Sequence, residues 1–137
     1  MTLDSSALLA VLFSEPGYLA LVDRMLQADV LRVGAPTLVE ASLVFEARRG
    51  RPPSRKPVES ASGGEVHELV KELGVTIVPF GEAEWHHAVD AFVRYGRGRH
   101  KSGLNFGDCL AYATAVAAGD SLLYVGDDFK LTDLSEI

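Results

Sequence analysis

The chain has 137 residues, a length that fits one domain, and 47% of them are hydrophobic, which is enough to fill a core and excludes a disordered polymer. A single cysteine, Cys109, excludes an intramolecular disulfide; no basic leader opens the chain and no apolar run approaches the ~18 residues of a membrane span, so a cytoplasmic protein with no membrane partner is expected. The net charge of −6 argues against a polyanionic partner until its distribution is read: of 13 Lys and Arg, five fall between Arg48 and Lys56 and four between Arg94 and Lys101, two local stretches that can track phosphates.

Met1 to Leu3 is short and apolar and stops at Asp4, the pattern of a strand running into a helix N-cap. Ala7 to Phe13 is apolar at every position, so the helix must be covered on several sides. Two-layer packing buries only part of such a helix, so Leu8, Leu9, Leu12 and Phe13 are expected to contribute to a self-association surface or a groove for an amphipathic segment, unless residues 16–28 and the rest of the core cover them. Ser14-Glu15-Pro16-Gly17 breaks the chain, and Tyr18 to Ala28 reads as an amphipathic helix. Val30 to Val33 is a strand ended by Gly34 and Pro36, and Thr37 is placed to cap a helix from Leu38 to Arg49 that Gly50 stops.

Residues 51–64 hold three prolines, three serines and two glycines and read as a loop inside one domain spanning 1–137. Ser62 and Glu65 have capping-box spacing and open a helix to about Leu73, before Gly74. Val75 to Val78 is a β-branched strand, and Glu82 to Tyr95 a helix with acids in its first turn. The basic loop Gly96 to Gly103 leads to Asn105, which caps a helix to about Ala118; Gly119 stops it. Ser121 to Val125 is the last strand, with Gly126-Asp127-Asp128 as its exit turn. Strands alternating with helices predict an α/β fold, a central parallel sheet flanked by helices on both faces.

Each acid in this pattern has an ordinary use on its own. Asp4 is a cap, Asp108 complements a helix dipole, and Asp127 and Asp128 suit a turn. Glu40 is harder to place, because Leu43, Val44 and Ala47 share its helix face and an unpartnered core carboxylate costs several kcal/mol. Topology supplies a joint explanation. Ligands bind beyond the carboxyl ends of parallel strands. Asp4 and Asp127/Asp128 follow strands, while Glu40 and Asp108 sit one turn into helices that start at that same edge. A cluster of carboxylates wants a cation, and oxygen donors without Cys or His suit Mg²⁺ or Mn²⁺ over zinc. The adjacent His86 and His87 point apart, Ser5 and Ser6 have no histidine at triad spacing, and no glycine-rich phosphate loop is present.

Four segments, in order, resemble a known family. Leu3-Asp4-Ser5-Ser6-Ala7-Leu8-Leu9-Ala10 resembles the opening of PIN domains, and Thr37-Leu38-Val39-Glu40-Ala41 their second motif. LNFGDCLAYATA (Leu104 to Ala115), preceded by the basic loop, is similar to the VapC toxins of toxin–antitoxin pairs, as is LLYVGDDFKLTDL (Leu122 to Leu134). The resemblance implies a PIN fold and cleavage of RNA phosphodiesters with Mg²⁺ or Mn²⁺, with Asp4, Glu40 and Asp108 matching the acids that hold the metal. Asp127 and Asp128 both offer the fourth carboxylate. Glu40 is expected to position or deprotonate the attacking water. Arg97, Arg99, His100 and Lys101 are expected to touch RNA. The same resemblance implies a homodimer silenced by a cognate antitoxin, whose arginine can compete with the metal for the acids. The rival readings are a DNA nuclease on the same fold, a metal-free binding module and a phosphoacceptor receiver. The receiver needs an acid after the middle strand, where Pro79-Phe80 stands.

Overall fold

The computed structural model describes residues 1–50 and 64–134. Strand β1 (Thr2–Leu3) leads into α1 (Ser5–Leu12) and α2 (Tyr18–Gln27), and β2 (Arg32–Gly34) into α3 (Ala35–Arg49). Helix α4 (Gly64–Glu72) precedes β3 (Thr76–Val78), and α5 (Glu82–Tyr95) and α6 (Phe106–Ala118) precede β4 (Leu122–Leu123). The sheet order is β3-β2-β1-β4, with every neighbouring pair parallel. Parallel neighbours cannot be joined by hairpins, so the chain must cross a sheet face between them, and helices make those crossings.

Alternation along β4 defines the two layers. Leu123 packs with Leu3, Leu8, Val33, Phe45 and Val70 under α1 to α4. Leu122 and Tyr124 turn the other way, to Ala91, Leu104, Tyr112 and Phe129 under α5 and α6. The expected helix–sheet–helix arrangement is therefore the one observed.

Several local expectations are corrected. Helix α1 packs against α2, α3 and α4. Leu8 and Leu9 are core residues, Leu12 and Phe13 pack against that core, and the Phe13 ring lies 5.0 Å from Phe45. Three neighbouring helices explain why α1 is apolar all round, so these side chains form no outward docking surface. Helix α3 starts at Ala35 with Gly34 as its N-cap, because Pro36 suits the first turn and lacks only an N–H that would be unbonded there. Thr37 is thus inside the helix, buried, its hydroxyl without a hydrogen-bond partner among the described residues. Strand β4 spans two residues where five were expected. The 51–63 part of the loop, with Ser62 of the anticipated capping box, lies outside the described residues.

The start of α3 is pressed onto α6. A Cβ on Gly34 would stand 2.5 Å from Thr114 Oγ1, so the backbone there comes closer than any side chain permits. Among the described residues no helix is long and apolar enough to cross a membrane.

Candidate active site

Asp4 leaves β1 and N-caps α1, with only 4% of its surface exposed. Its Oδ2 accepts hydrogen bonds from the Ser6 amide at 2.9 Å and from the Ser6 hydroxyl. The Ser6 hydroxyl in turn accepts from the Val125 amide at 3.0 Å, tying the exits of β1 and β4 together. Among the described residues, Asp4 Oδ1 is buried with no hydrogen-bond partner. A buried acceptor left unsatisfied costs about 1–3 kcal/mol, and more when charged. Burial raises the Asp4 pKa against the Ser6 bonds that lower it, and Asp128 adds to the rise.

Asp108 stands at the third position of α6 in a reciprocal capping box. The Asn105 amide donates to Asp108 Oδ2 at 2.7 Å, and the Asp108 amide donates to Asn105 Oδ1 at 3.0 Å. That bond and the helix dipole favour the anion, yet burial outweighs them. With the charges of Asp4, Asp128 and Glu40 it pushes the Asp108 carboxyl up to about 6.

Glu40 is placed differently from the expectation. The buried face of α3 is Thr37, Ala41 and Phe45, whereas Leu43 is 67% exposed and Ala47 is also exposed. Glu40 flanks that face, half-buried, and its carboxyl lies against Gly107 of α6. A Cβ on Gly107 would fall 2.6 Å from Glu40 Cδ, so glycine makes the space the carboxyl fills. Burial raises its pKa, a Ser5 hydrogen bond lowers it, and the charge of Asp4 raises it again.

These three acids and Asp128 line one cleft of about 220 Å³, together with Ser5, Ser6, Asn105, Glu15 and Arg48. Asp127, expected as an equal candidate, points elsewhere: it pairs with Lys130 at 2.7 Å and does not line the cleft. Arg97, Arg99, His100 and Lys101 do not line it either. Their loop is closed by a Gly96–Leu104 bridge. The Arg99 guanidinium lies 5.3 Å over Phe92, and the His100 ring meets Tyr95 edge-on at 5.3 Å. Sequence reasoning missed Ser6, Glu15 and Arg48. The sequence offers Ser6 only as a nucleophile without a base, and Arg48 only as part of a charge run.

The donors that face the cleft suit a hard divalent cation. Five carboxylates line it, Asp4 Oδ1 has no hydrogen-bond partner among the described residues, and the neighbouring Cys109 is turned into the core. Among the described residues no three of His, Cys, Asp and Glu form a ready-made ligand set. The cleft is also small beside the ~300–1,000 Å³ of pockets that enclose small molecules. Its polar lining suits an ion and the anionic groups that such an ion draws in.

Comparison with known proteins identifies the family of the fold. The PIN domain family model matches residues 1–134. A Ribonuclease VapC of Mycolicibacterium smegmatis is 34% identical over 137 residues, covering 100% of this chain and 99% of its own. Ribonuclease VapC36 of Mycobacterium tuberculosis is 38% identical over 135 residues, covering 98% and 91%. In fold, the chain superposes on the crystal structure of Mycobacterium tuberculosis VapC20, a Sarcin-Ricin loop cleaving toxin, with a TM-score of 0.73 at 14% identity, over 99% of this chain and 97% of that one. A parallel sheet flanked by helices, matched by the PIN model over nearly its whole length, defines a PIN-type nuclease fold. The chain belongs to the PIN-domain family, among its VapC ribonucleases.

Proposed function

We propose that this protein is the toxin of a toxin–antitoxin pair, an endoribonuclease that hydrolyses RNA phosphodiester bonds in the Asp4–Glu40–Asp108–Asp128 cleft with Mg²⁺ or Mn²⁺. The observation that carries this reading is the buried Oδ1 of Asp4, unpartnered among the described residues, in a cleft shared with four other carboxylates. Asp4 and Asp108 would hold the ion, both fixed by backbone hydrogen bonds at helix N-termini. When bound, such an ion acidifies water and neutralises charge on the attacked phosphate. Glu40, with its carboxyl seated against Gly107, takes the proton from the attacking water; its raised pKa makes it a better base at neutral pH. Asp128 closes the open side.

The choice of RNA over DNA rests on the relatives, which are named ribonucleases, since carboxylates do not read the sugar. Arg97, Arg99, His100 and Lys101 meet RNA outside the cleft, in the loop that leads directly into Asn105. The antitoxin and a second copy of the chain cover exposed apolar side chains other than those of α1. Trp85, Val89 and Val93 recur along α5 at four-residue spacing, each more than half exposed. A cytoplasmic setting fits the single, buried thiol of Cys109.

The test is cleavage of a defined single-stranded RNA, beside the DNA of the same sequence, by protein free of host nuclease. Expected are RNA cuts with Mg²⁺ or Mn²⁺, none with EDTA, and none from folded Asp4→Asn or Asp108→Asn protein. Full turnover by either variant removes the proposed site.

A further inference from the structure

The cleft contains a cation that its acids do not explain. Among the described residues lining it, Arg48 alone carries a fixed positive charge, beside the carboxylates of Asp4, Glu15, Glu40, Asp108 and Asp128 in the same lining. Arg48 stands on α3 eight residues beyond Glu40, which places it about 12 Å further along the helix. Its guanidinium is held ready: Nη1 lies 2.8 Å from Glu15 Oε1, and Cζ lies 5.2 Å over the Phe13 ring. Phe13 is itself braced on Phe45 at 5.0 Å. The pair is open to solvent, with side-chain exposures of 51% and 36%, and an ion pair so exposed contributes little to stability. Exchanging Glu15 for another anion is therefore cheap. Guanidinium groups match phosphate oxygens bidentately and gain strength from the charge.

We propose that Arg48 docks a phosphate of the substrate RNA neighbouring the scissile one, and that Glu15 is its resident competitor, displaced when RNA enters the cleft. This rests on the reading of the cleft as an RNA-cleaving site. The pairing gives the cleft a selective entrance: a polyanion long enough to reach both Arg48 and the acids gains the arginine, whereas an isolated phosphate at the acids does not. It also explains why a cation stands in a cleft otherwise lined by carboxylates without cancelling them, since its charge is already matched by Glu15 and does not compete with an ion at Asp4 and Asp108.

A double-mutant cycle tests the exchange. Wild type, Arg48→Gln, Glu15→Gln and the double variant are compared by fluorescence anisotropy on a labelled single-stranded RNA in EDTA, where no cleavage intervenes. KM and kcat are measured in parallel with Mg²⁺. Arg48→Gln is expected to raise Kd and KM about tenfold, the loss of one charge-assisted contact, with kcat within about twofold. It should also lower the salt slope of binding by about one. Glu15→Gln is expected to tighten binding about threefold when Arg48 is present and not at all in the Arg48→Gln background. Equal tightening in both backgrounds means simple charge relief and overturns the exchange, as does an Arg48→Gln protein with unchanged Kd and KM. Should Arg48→Gln melt early, Arg48→Lys replaces it in the cycle, retaining the charge and losing the fork. A wild type that binds RNA but does not cut it removes the cleavage reading while Kd still decides the role of Arg48. A wild type that neither binds nor cuts overturns both.

Discussion

At the residue scale the cleft is a place where burial beats every local device that favours an anion. Asp108 has a helix N-terminus and an amide donor, yet its carboxyl is pushed from 3.8 up to about 6. Each pH unit is worth about 1.4 kcal/mol, so keeping it ionised at neutral pH costs the protein on the order of 3 kcal/mol in the absence of a cation. The sign follows from proton counting. Between about pH 4 and 6 the folded state holds more protons at this site than the unfolded chain, so stability falls as pH rises through that window. In EDTA, the melting temperature is expected to rise on going from pH 7 to 5; Asp108→Asn should melt above wild type at pH 7 and lose the part of that response that Asp108 supplies, Asp4 and Glu40 keeping theirs. An Asp108→Asn protein no more stable than wild type at pH 7 contradicts the argument from burial and repulsion. Gly107 separates stability from function in the same way. Alanine there gains about 0.5–1 kcal/mol of helix propensity, but its Cβ takes the space of the Glu40 carboxyl. Glu40→Gln is expected to lower kcat by about 10²–10⁴-fold, the usual worth of a general base, and Gly107→Ala by at least about tenfold with no loss of thermal stability. Full kcat in folded Gly107→Ala shows that the seat against Gly107 does not position the base.

At the level of elements, the helices carry the site and the strands only aim it. Helix α6 both N-caps itself and presents Asp108, so its cap belongs to the structure and to the site at once. Asn105→Ala removes the acceptor of the Asp108 amide and is expected to cost about 1 kcal/mol, some 4 °C in melting temperature for a chain of this size. Asn105→Ser should restore most of it, because serine caps comparably; a circular dichroism melt distinguishes them, and equal melting of all three proteins refutes the cap. This helix was fully legible in the sequence, because Asn105, Asp108 and Gly119 are chemical signals at fixed offsets. So was α5, with Glu82 and Glu84 in its first turn. The strands were legible in position but not in length, since pairing across neighbours, and not residue type, decides where β4 stops at Leu123. Thr37 was misread as a cap because proline two positions into a helix and threonine before one look alike in the sequence. Glu40 was assigned to a core face because periodicity counts apolar neighbours without knowing which side meets the sheet. The meeting of Glu40 with Gly107, Arg48 with Glu15, and Ser6 with Val125 depends on contacts between distant segments, which no local pattern encodes.

At the scale of the whole molecule, two apolar clusters lie on opposite faces of one small sheet, and they are joined by what passes through it. Leu122 and Leu123 belong one to each cluster, and α6 packs against β1, β2, β4 and α3 as well as α5. With strands of only two or three residues, neither layer has a sheet of its own to fold on. We therefore propose that residues 1–137 unfold as one cooperative domain. The single tryptophan, Trp85, sits on α5 and reports that layer alone, whereas far-ultraviolet circular dichroism reports all the helices. The two probes are expected to give coincident transitions. The cleft lies between elements of both layers, with Asp4, Glu40 and Asp108 contributed by α1, α3 and α6. A cation bound there must stabilise the whole domain. At about 100 times its Kd, Mg²⁺ is expected to add about 2.7 kcal/mol and shift both probes upward together. In Asp108→Asn protein the shift should be small, since one ligand is gone and the repulsion it relieved is already absent. Separate transitions for the two probes refute the single domain, and an equal Mg²⁺ shift in wild type and Asp108→Asn places the cation somewhere other than this cleft.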